Sequence, residues 1–329
     1  MDKFIAENSQ RLDIFLSSNL QNSRNQITNL IKSNLVFVNS KSVVKPSFKL
    51  NSGDIVEIKY PQIQKSEICE NVDFEVEILY EDDDLLVIDK PANLVVHSAP
   101  SVKEPTLVDW LKSKNYTLST LNGEIRAGIV HRLDKGTSGV MVVAKNDIAH
   151  ANLSSQLSDK SMGRIYLAFV DLALKENCIV ERYIGRNPNN RLKKTIVSEM
   201  APDGRYAKSA FANLHTEKNA NLIAAKLFTG RTHQIRVHLA SLNRHILGDT
   251  LYGFKSESDR IKRVFLHAYL IYFKHPRNGD LIKICTKKLP KEFSEMIENL
   301  DNKEEIYEKI LPNNIECEFG FIDRWLCYN

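Results

Sequence analysis

A short polar loop between two apolar runs is the first candidate for chemistry. Residues 128–146 read GIVHRLDKGTSGVMVVAKN, which places His131, Arg132 and Asp134 between the β-rich runs GIV and VMVVA. Loops that emerge from a rigid sheet often carry functional groups. An aspartate at such an edge, with cations beside it, can stay ionised and act as a nucleophile or a base. Taken alone, the loop favours a plainer interpretation, an aspartate that only stabilises a turn.

A second polar cluster lies where a helix is expected to begin. Residues 226–253 read KLFTGRTHQIRVHLASLNRHILGDTLYG. The pattern predicts a strand ending near Thr229, then a turn, then a helix with Thr232 as its N-cap. Arg231 and Arg236 would stand at a helix start, whose free N–H groups and dipole favour anions. A structural ion pair with a surface acid is an equally good interpretation of Arg231.

Composition restricts the class of protein. The chain has 329 residues, 43% of them hydrophobic. It has no apolar run near the roughly 20 residues of a membrane-spanning helix and no signal-peptide pattern at its amino terminus. We therefore expect a globular cytoplasmic protein. The five cysteines show neither metal-ligand spacing nor a disulfide framework, which predicts reduced thiols and no zinc site.

The net charge of +4 conceals strongly segregated charges. Residues 61–84 hold nine acids and one base, residues 185–246 hold eleven bases and three acids, and residues 291–329 hold ten acids and four bases. A basic middle suits a polyanionic partner such as a nucleic acid. Charge alone slightly favours a solvated basic face with no such partner.

The arrangement of apolar runs predicts three parts. Residues 11–58 combine two short helices, RLDIFLSSNL and SRNQITNLIKSN, the second with Ser23 as N-cap, with short strands such as LVFVN. A polar, acidic linker follows. From residue 72 to 293, β-type runs are interspersed with helices such as TLVDWLKS, which indicates a mixed α/β domain without a phosphate-binding glycine loop. The acidic tail is expected to be helical around residues 304–310.

The two polar clusters together resemble the RluA-type family of RNA pseudouridine synthases, whose members carry an HRLD-x-x-TSG loop and a GRTHQIR-type helix start. Four further segments resemble other motifs of the family: DLLVIDKPANLVVH, GRIYLAFV, IGRNPNNRLKKTIV and LHAYLIYFKHP. The amino-terminal part is similar to the S4 RNA-binding module. Asn34 and Asn93 stand where glycine is common in the family; at Asn93, asparagine tolerates the left-handed backbone, so that turn can survive.

The resemblance implies a fold of class α/β (α+β). A pseudouridine synthase catalytic domain with a mixed, largely antiparallel sheet and flanking helices would follow a small S4-like α+β domain. The implied limits are residues 1–60 for the S4-like RNA-binding domain, 61–71 for a linker, 72–293 for the catalytic domain and 294–329 for an acidic carboxy-terminal extension. The sequence assigns the extension no role.

The resemblance also implies roles for individual residues. Asp134 would be the catalytic aspartate, Tyr166 the active-site tyrosine and Arg236 the arginine that pairs with the aspartate. Arg132 would fill the gap that a flipped nucleotide leaves in the RNA, because a guanidinium can stack and donate hydrogen bonds at once. Further RNA contacts are expected at a set of basic residues: His131, Arg231, Arg24, Lys32, Arg191 and Lys193.

The implied reaction is isomerisation of a uridine to pseudouridine by base flipping and an aspartate-dependent mechanism, without cofactor or metal. The implied partner is RNA, first of all bacterial large-subunit (23S) ribosomal RNA in the pre-ribosomal large subunit, modified by a cytoplasmic monomer that does not contact membranes. Transfer RNA is the alternative substrate, and a non-catalytic ribosome-assembly factor is an alternative class. A glycosidase is a third class, but it usually needs a second catalytic carboxylate, and no motif nominates one.

Overall fold

The chain forms two compact units, Met1–Glu70 and Asn71–Asn329. The predicted N-cap Ser23 and the predicted linker lie outside the residues that the structure describes. Within the described residues, every helix is too short or too polar to span a lipid bilayer. The structure is a computed structural model that describes residues 2–20, 24–32, 34–58, 72–99, 102–217, 221–253, 261 and 263–328.

The first unit packs two helices on short strands. Its elements are β1 Asp2–Ile5, β2 Gln10–Arg11, α1 Leu12–Asn19, α2 Arg24–Lys32, β3 Val36–Val38, β4 Lys41–Ser42, β5 Lys49–Leu50 and β6 Ile55–Ile58. The strands form a sheet in the order β1-β6-β3-β4 and a separate pair, β2-β5. The apolar core joins both helices to the sheet through buried side chains that include Leu12, Leu16, Ile27, Ile31, Val36 and Val56. The predicted small α+β domain is confirmed.

Both asparagines that stand in place of a family glycine have the left-handed backbone conformation. The angle φ is 60° at Asn34 and 66° at Asn93. Asparagine visits this region at lower cost than other non-glycine residues, because its short polar side chain can hydrogen-bond locally. The prediction that the turn at Asn93 survives the substitution is confirmed, and Asn34 has the same conformation.

The second unit is built on one large sheet. Its strands are β7 Glu77–Glu81, β8 Leu85–Lys90, β9 Ser138–Ala144, β10 Gly163–Val170, β11 Cys178–Arg186, β12 Lys194–Val197, β13 Arg205–His215, β14 Asn221–Leu227, β15 Leu266–Lys274, β16 Leu281–Cys285 and β17 Leu326–Tyr328. Its α-helices are α3 Leu107–Ser113, α4 Asp147–Asp159, α5 Gln234–Ser241, α6 Lys291–Glu298, α7 Lys303–Lys309 and α8 Pro312–Cys317. The strand order is β12-β11-β13-β14-β10-β15-β9-β8-β7, with β16 beside β15 and β17 beside β11.

The large sheet is mixed and mostly antiparallel, as predicted. Among the described strands, only β15 with β9 and β17 with β11 pair in parallel. Strands β9 and β10 are buried along their whole length, as expected for strands covered on both faces. The run GIV, predicted as a strand, contributes only an isolated bridge from Ile129 to Val143. Gly128 has φ 71°, which a regular strand cannot accommodate.

Neighbouring strands in the middle of this sheet bring the polar clusters of the sequence together. In the order β14-β10-β15-β9, the HRLD loop precedes β9, Tyr166 lies on β10, and the GRTHQIR segment connects β14 to α5. Asp134 and Arg236 therefore meet although they are 102 positions apart in the chain.

The carboxy-terminal segment belongs to the core of the second unit. Helix α7 confirms the helix predicted around residues 304–310, and β17 extends the large sheet beside β11. Apolar side chains of this segment join the main core: Ile297, Leu300, Ile306, Ile310, Ile315 and Phe319. The limit predicted at residue 293 therefore does not separate two units, because one hydrophobic core spans it.

Candidate active site

The HRLD loop turns before β9 and holds Asp134 at the wall of a pocket. The Thr137 N–H closes the turn by donating to the Asp134 carbonyl at 3.0 Å. The Asp134 side chain is 19% exposed, and its Oδ2 accepts a hydrogen bond from Arg236 at 3.3 Å. Within the described part of the chain, no second group donates to this carboxylate. Asp134 is thus paired with a cation and still has lone pairs available to a substrate.

Arg236 is held by a second carboxylate that the sequence did not nominate. Its Nε and Nη2 donate to Asp249 at 2.7 and 2.8 Å, while Nη1 reaches Asp134. The Tyr252 ring lies under the guanidinium, with 4.9 Å between the Arg236 Cζ and the ring centroid. Burial opposes the charged form of Arg236, but the hydrogen bonds and charge of Asp249, followed by those of Asp134, raise its pKa above the ordinary value. The geometry therefore fixes a charged guanidinium beside Asp134.

The helix that carries Arg236 starts differently from the prediction. Helix α5 begins at Gln234, and its N-cap is His233, with φ 60° and no side-chain cap. The expected cap at Thr232 is wrong, because α5 starts one residue later than predicted, and the Gln234 side chain binds the turn before the helix. Its Oε1 accepts the Arg231 N–H at 2.9 Å and the Thr229 hydroxyl at 2.7 Å. The strand, the turn and the helix start are thereby fastened together.

Tyr166 lies in the middle of β10, and its side chain lines the same pocket as Asp134 and Arg236. Strand β10 pairs with β14 on one side and with β15 on the other, where a bulge falls between Ile165 and Tyr166. A bulge of this kind redirects a side chain relative to the regular alternation. Burial raises the pKa of Tyr166, so its hydroxyl is neutral at physiological pH.

His233 connects Asp134 to Tyr252. Its Nδ1 is 2.9 Å from the Tyr252 hydroxyl, and its Nε2 is 3.9 Å from the Asp134 Oδ2. Burial lowers the pKa of His233 more strongly than the Asp134 charge raises it, so the imidazole is neutral at pH 7. The Tyr252 hydroxyl also accepts the Lys194 N–H at 2.7 Å.

Sequence reasoning assigned no role to Asp249, Tyr252 or Arg164, which lie in or beside the pocket. The first two belong to the quoted run ILGDTLYG. One signal was available for Asp249: a buried guanidinium has five N–H donors, so a single carboxylate seldom satisfies it. A second acid is therefore expected near Arg236, although the sequence does not identify it.

The structure places the predicted RNA contacts in three groups. Arg132 and Arg231 are exposed and line the pocket, and Arg231 also donates through Nε to the Tyr206 carbonyl at 2.9 Å. Arg191 is exposed and Lys193 half-buried in the connection between β11 and β12, with the Lys193 Nζ 6.0 Å from the Tyr252 ring centroid. Two residues lie on α2 of the first unit: Lys32, which is exposed, and Arg24, whose side chain is outside the described part.

His131 does not fit its predicted contact with RNA. The side chain is buried, and its Nε2 accepts the Val142 N–H at 3.2 Å. Burial, followed by the charge of Arg164, lowers the pKa of His131 to about 3. A neutral, buried imidazole that accepts from β9 supports the HRLD loop from inside the protein and has no access to a phosphate.

A group of possible metal ligands lies elsewhere in the second unit, at Asp82, Asp84 and His275. Arg277 binds both oxygens of Asp84, at 2.7 and 2.8 Å, and His275 Nε2 lies 2.9 Å from Asp82. The hydrogen bond from Arg277 is the main cause that lowers the pKa of Asp84 to about 2. The guanidinium supplies the positive charge that these acids need, so the group is explained as an internal ion-pair network.

Comparison with known proteins agrees with this geometry. The family described as RNA pseudouridylate synthase matches residues 84–241, and the S4 domain matches residues 10–56. An RNA pseudouridine synthase of Helicobacter pylori J99 is 50% identical over 303 residues, covering 91% of this chain and 92% of that protein. The ribosomal large subunit pseudouridine synthase D of Zymomonas mobilis is 39% identical over 279 residues, covering 82% and 87%. A human structure, RNA pseudouridylate synthase domain containing 4, has TM-score 0.53 at 22% identity, covering 68% of this chain and 92% of that one; it supports the fold alone.

The mixed sheet, the pocket that holds one aspartate among several arginines, and the preceding S4 domain define an RNA-modifying enzyme. The chain belongs to the RNA pseudouridine synthase family, which confirms the resemblance carried by its motifs. Its activity is the isomerisation of uridine to pseudouridine in RNA.

Proposed function

We propose that Asp134 is the catalytic aspartate, that Arg236 keeps it ionised, and that Tyr166 supports the flipped uracil. The observation that carries this proposal is the 3.3 Å contact between the Asp134 Oδ2 and the Arg236 Nη1, on the wall of a pocket that Tyr166 also lines. A nearby guanidinium favours the charged form of a carboxylate. A carboxylate that attacks C1′, adds to the uracil ring or removes a sugar proton must be ionised in each case.

A uridine in folded RNA must leave its stack before it can enter the pocket. The C1′–N1 bond is hidden in a stacked strand, so the nucleotide must be extruded, at a cost of a few kcal/mol. Arg132 is exposed at the rim of the pocket, where its guanidinium can stack in the vacated position. Inside the pocket, the flat face of Tyr166 can hold the base while it turns and presents C5 to C1′.

The proposed substrate is a uridine of large-subunit ribosomal RNA, and the proposed partner is the pre-ribosomal large subunit. Relatives that match over most of their length are named ribosomal large subunit pseudouridine synthase D, in Zymomonas mobilis and in Haemophilus ducreyi. Transfer RNA is the competing substrate. We further propose that the enzyme works as a cytoplasmic monomer without a metal, with residues 1–60 as RNA anchor, 61–71 as linker, and 294–329 folded onto a catalytic domain that starts at residue 72.

A transcriptome-wide map of pseudouridines tests the proposal. Cells without the gene should lose one or a few pseudouridines in large-subunit RNA, and the wild-type gene should restore them. The Asp134→Asn variant should restore none, whereas Asp301→Asn, a change at an exposed aspartate of the tail, should restore all. Loss of pseudouridine only from transfer RNA would contradict the proposed substrate. Restoration by Asp134→Asn would contradict the proposed catalytic residue.

The S4 domain is tested separately through the salt dependence of RNA binding. Each phosphate contact makes the affinity fall more steeply with salt, through counterion release. Deleting residues 1–60 should therefore weaken binding to a ribosomal RNA fragment and reduce the slope of log K against log salt. The first unit has its own apolar core, distinct from the core of the second unit. Equal affinity and equal slope for both proteins would contradict the role of an anchor.

A further inference from the structure

Arg164 is a buried cation in the proposed active site. It lies on β10, two positions before Tyr166, and lines the same pocket as Tyr166 and Asp134. Only 7% of the residue is exposed. Burial is the main influence on its guanidinium and lowers its pKa, and the neighbouring Tyr166 side chain, which is neutral at physiological pH, acts weakly in the opposite direction. A cation in this position is costly for the free protein unless some group compensates it.

No such group is present within the described part of the chain. No carboxylate, carbonyl or hydroxyl there accepts a hydrogen bond from Arg164, and its Nε is buried without a partner. The two other arginines that are less than a tenth exposed are compensated. Arg236 has Asp249 and Asp134, and Arg263 has the Ser138 hydroxyl at 2.6 Å and Glu292 at 3.5 Å. Arg164 is therefore an exception among the buried arginines that the structure describes.

The turn beside Arg164 leaves room for its guanidinium. A Cβ atom at Gly230 would lie 3.0 Å from the Arg164 Nη1, closer than most carbon contacts allow. The backbone of Gly230 lies outside the left-handed region, so its conformation does not require glycine. Glycine at this position keeps a side chain away from a charged group on the pocket wall. The site thus combines a polar group without a protein partner and the space to reach it.

We propose that Arg164 is a further catalytic residue, whose guanidinium stabilises the negative charge that develops on the uracil as the base leaves the sugar. This proposal rests on the active site proposed above. When the C1′–N1 bond breaks, its electron pair leaves with the uracil, and the charge is shared by N1 and the carbonyl oxygens. Arg164 stays protonated and donates N–H hydrogen bonds to a uracil oxygen. C5 then bonds to C1′, the C5 proton departs, N1 gains a proton, and Arg164 is unchanged.

The burial of Arg164 favours the base over a phosphate as its ligand. The RNA backbone meets exposed cations first, and Arg132 and Arg231 already offer these at the rim. Arg164 lines the same pocket as Tyr166 and is only 7% exposed, so an extruded base can approach it more readily than the RNA backbone can. Donors that are fixed before the reaction and shielded from water act most strongly on charge that develops during it. An unpaired guanidinium is arranged to do so, because no protein carboxylate competes for it.

Arg164→Met and Arg164→Lys separate this role from a structural one. Under single-turnover conditions with saturating RNA, Arg164→Met should react about 10²-fold to 10³-fold more slowly, the usual loss when one such donor is removed. Arg164→Lys should recover part of the rate because it retains the charge. The Kd for RNA should stay unchanged in both variants. The midpoint of thermal unfolding of Arg164→Met should not fall, because a buried charge without a partner is removed.

Arg263→Met is the matched control, since it removes a buried arginine that has protein partners. Its unfolding midpoint should fall. Arg164→Ala adds an independent readout: guanidinium chloride, below the concentration that unfolds the protein, should raise its rate, while the same concentration of potassium chloride should not.

Three results would overturn the inference. A wild-type rate for Arg164→Met would show that the guanidinium does not act on the reaction. A lower unfolding midpoint, as in Arg263→Met, would assign it to the framework. Weaker RNA binding with a smaller salt slope and an unchanged saturated rate would assign it to a phosphate. The proposed function fails differently: in that case Asp134→Asn, measured in parallel, would retain activity.

Discussion

Two clusters in the second unit have the same composition but differ in how many hydrogen bonds one of their carboxylates accepts. Each joins two aspartates, an arginine and a histidine. The edge cluster consists of Asp82, Asp84, His275 and Arg277, and the pocket cluster consists of Asp134, Asp249, His233 and Arg236. In both, the arginine binds one aspartate through two nitrogens. What differs is the hydrogen bonding of the other aspartate.

In the edge cluster, the second aspartate is saturated. Asp82 accepts the Tyr80 hydroxyl at 2.7 Å and the Asp84 and Leu85 amides at 2.8 and 2.9 Å, and it contacts His275 as well. In the pocket cluster, Asp134 accepts one bond from Arg236, and His233 stands off at 3.9 Å. A saturated carboxylate can only hold the fold together. Asp134 lies beside the Arg236 guanidinium and still has lone pairs available to a substrate.

The largest expected effect comes from removing the two charges in parallel. Asp134→Asn should abolish pseudouridine formation. It should change the free energy of unfolding by less than about 0.5 kcal/mol, because the single hydrogen bond of Asp134 is long and Arg236 retains its hydrogen bonds to Asp249. Asp84→Asn should do the opposite: near wild-type activity and a loss of about 1–3 kcal/mol in stability. Tritium release from labelled RNA and urea unfolding measure both. Equal stability losses would show that the two clusters do not differ in this way.

The next effect concerns the acid that holds the pocket arginine. Asp249 is 1% exposed, so Asp249→Asn leaves the buried Arg236 guanidinium without its main compensating negative charge. The free energy of unfolding should therefore fall by about 3–5 kcal/mol. Turnover should fall strongly as well, because Arg236 loses the partner that aligns it with Asp134. Adding Arg236→Met to Asp249→Asn should recover part of the stability and none of the activity. If the double variant is no more stable than Asp249→Asn, the loss does not come from the unpaired cation.

The stabilisation that the edge cluster contributes should be lost over a defined range of acidic pH. In the folded protein, the pKa of Asp84 lies at about 2, below the ordinary value of 3.8. A lowered folded pKa stabilises the protein fully above the unfolded value, and this contribution is lost as the pH falls from about 4 through 2. Urea unfolding between pH 5 and 2 should therefore show a smaller loss of stability in Asp84→Asn than in wild type. Parallel curves would contradict the contribution of Asp84.

The sequence predicted the reacting residues of the pocket better than the residues that hold them in place. Asp134 and Arg236 stand in multi-residue motifs, so their roles could be proposed from type and order alone. Asp249 could not be, because it owes its importance to a contact with one arginine that only the fold creates. The cap of α5 was missed because Gln234, inside the helix, satisfies the turn before it. Similarly, nothing local says that Ile306 and Phe319, in a strongly acidic tail, belong to the main core.

The smallest expected effect concerns the link from the pocket cluster to the basic hairpin, formed by β11, β12 and the residues between them. The Tyr252 hydroxyl joins the Lys194 amide of this hairpin to His233. Tyr252→Phe keeps the ring under Arg236 and loses the hydroxyl. Because these hydrogen bonds help to align the pocket cluster, the single-turnover rate should fall roughly fivefold, which corresponds to about 1 kcal/mol.

Tyr183→Phe is the matched control for that change. The Tyr183 hydroxyl donates to Glu199 at 2.6 Å at the surface of the same hairpin and does not reach the pocket cluster. Its loss should leave the saturated rate unchanged, although a tyrosine hydroxyl of the hairpin or its contacts is removed in each variant. A slower rate only in Tyr252→Phe would mean that RNA held by the hairpin is aligned with Asp134 through Tyr252 and His233. Equal rates in the two variants would mean that the hairpin contributes affinity alone and that Asp134 depends on its own cluster.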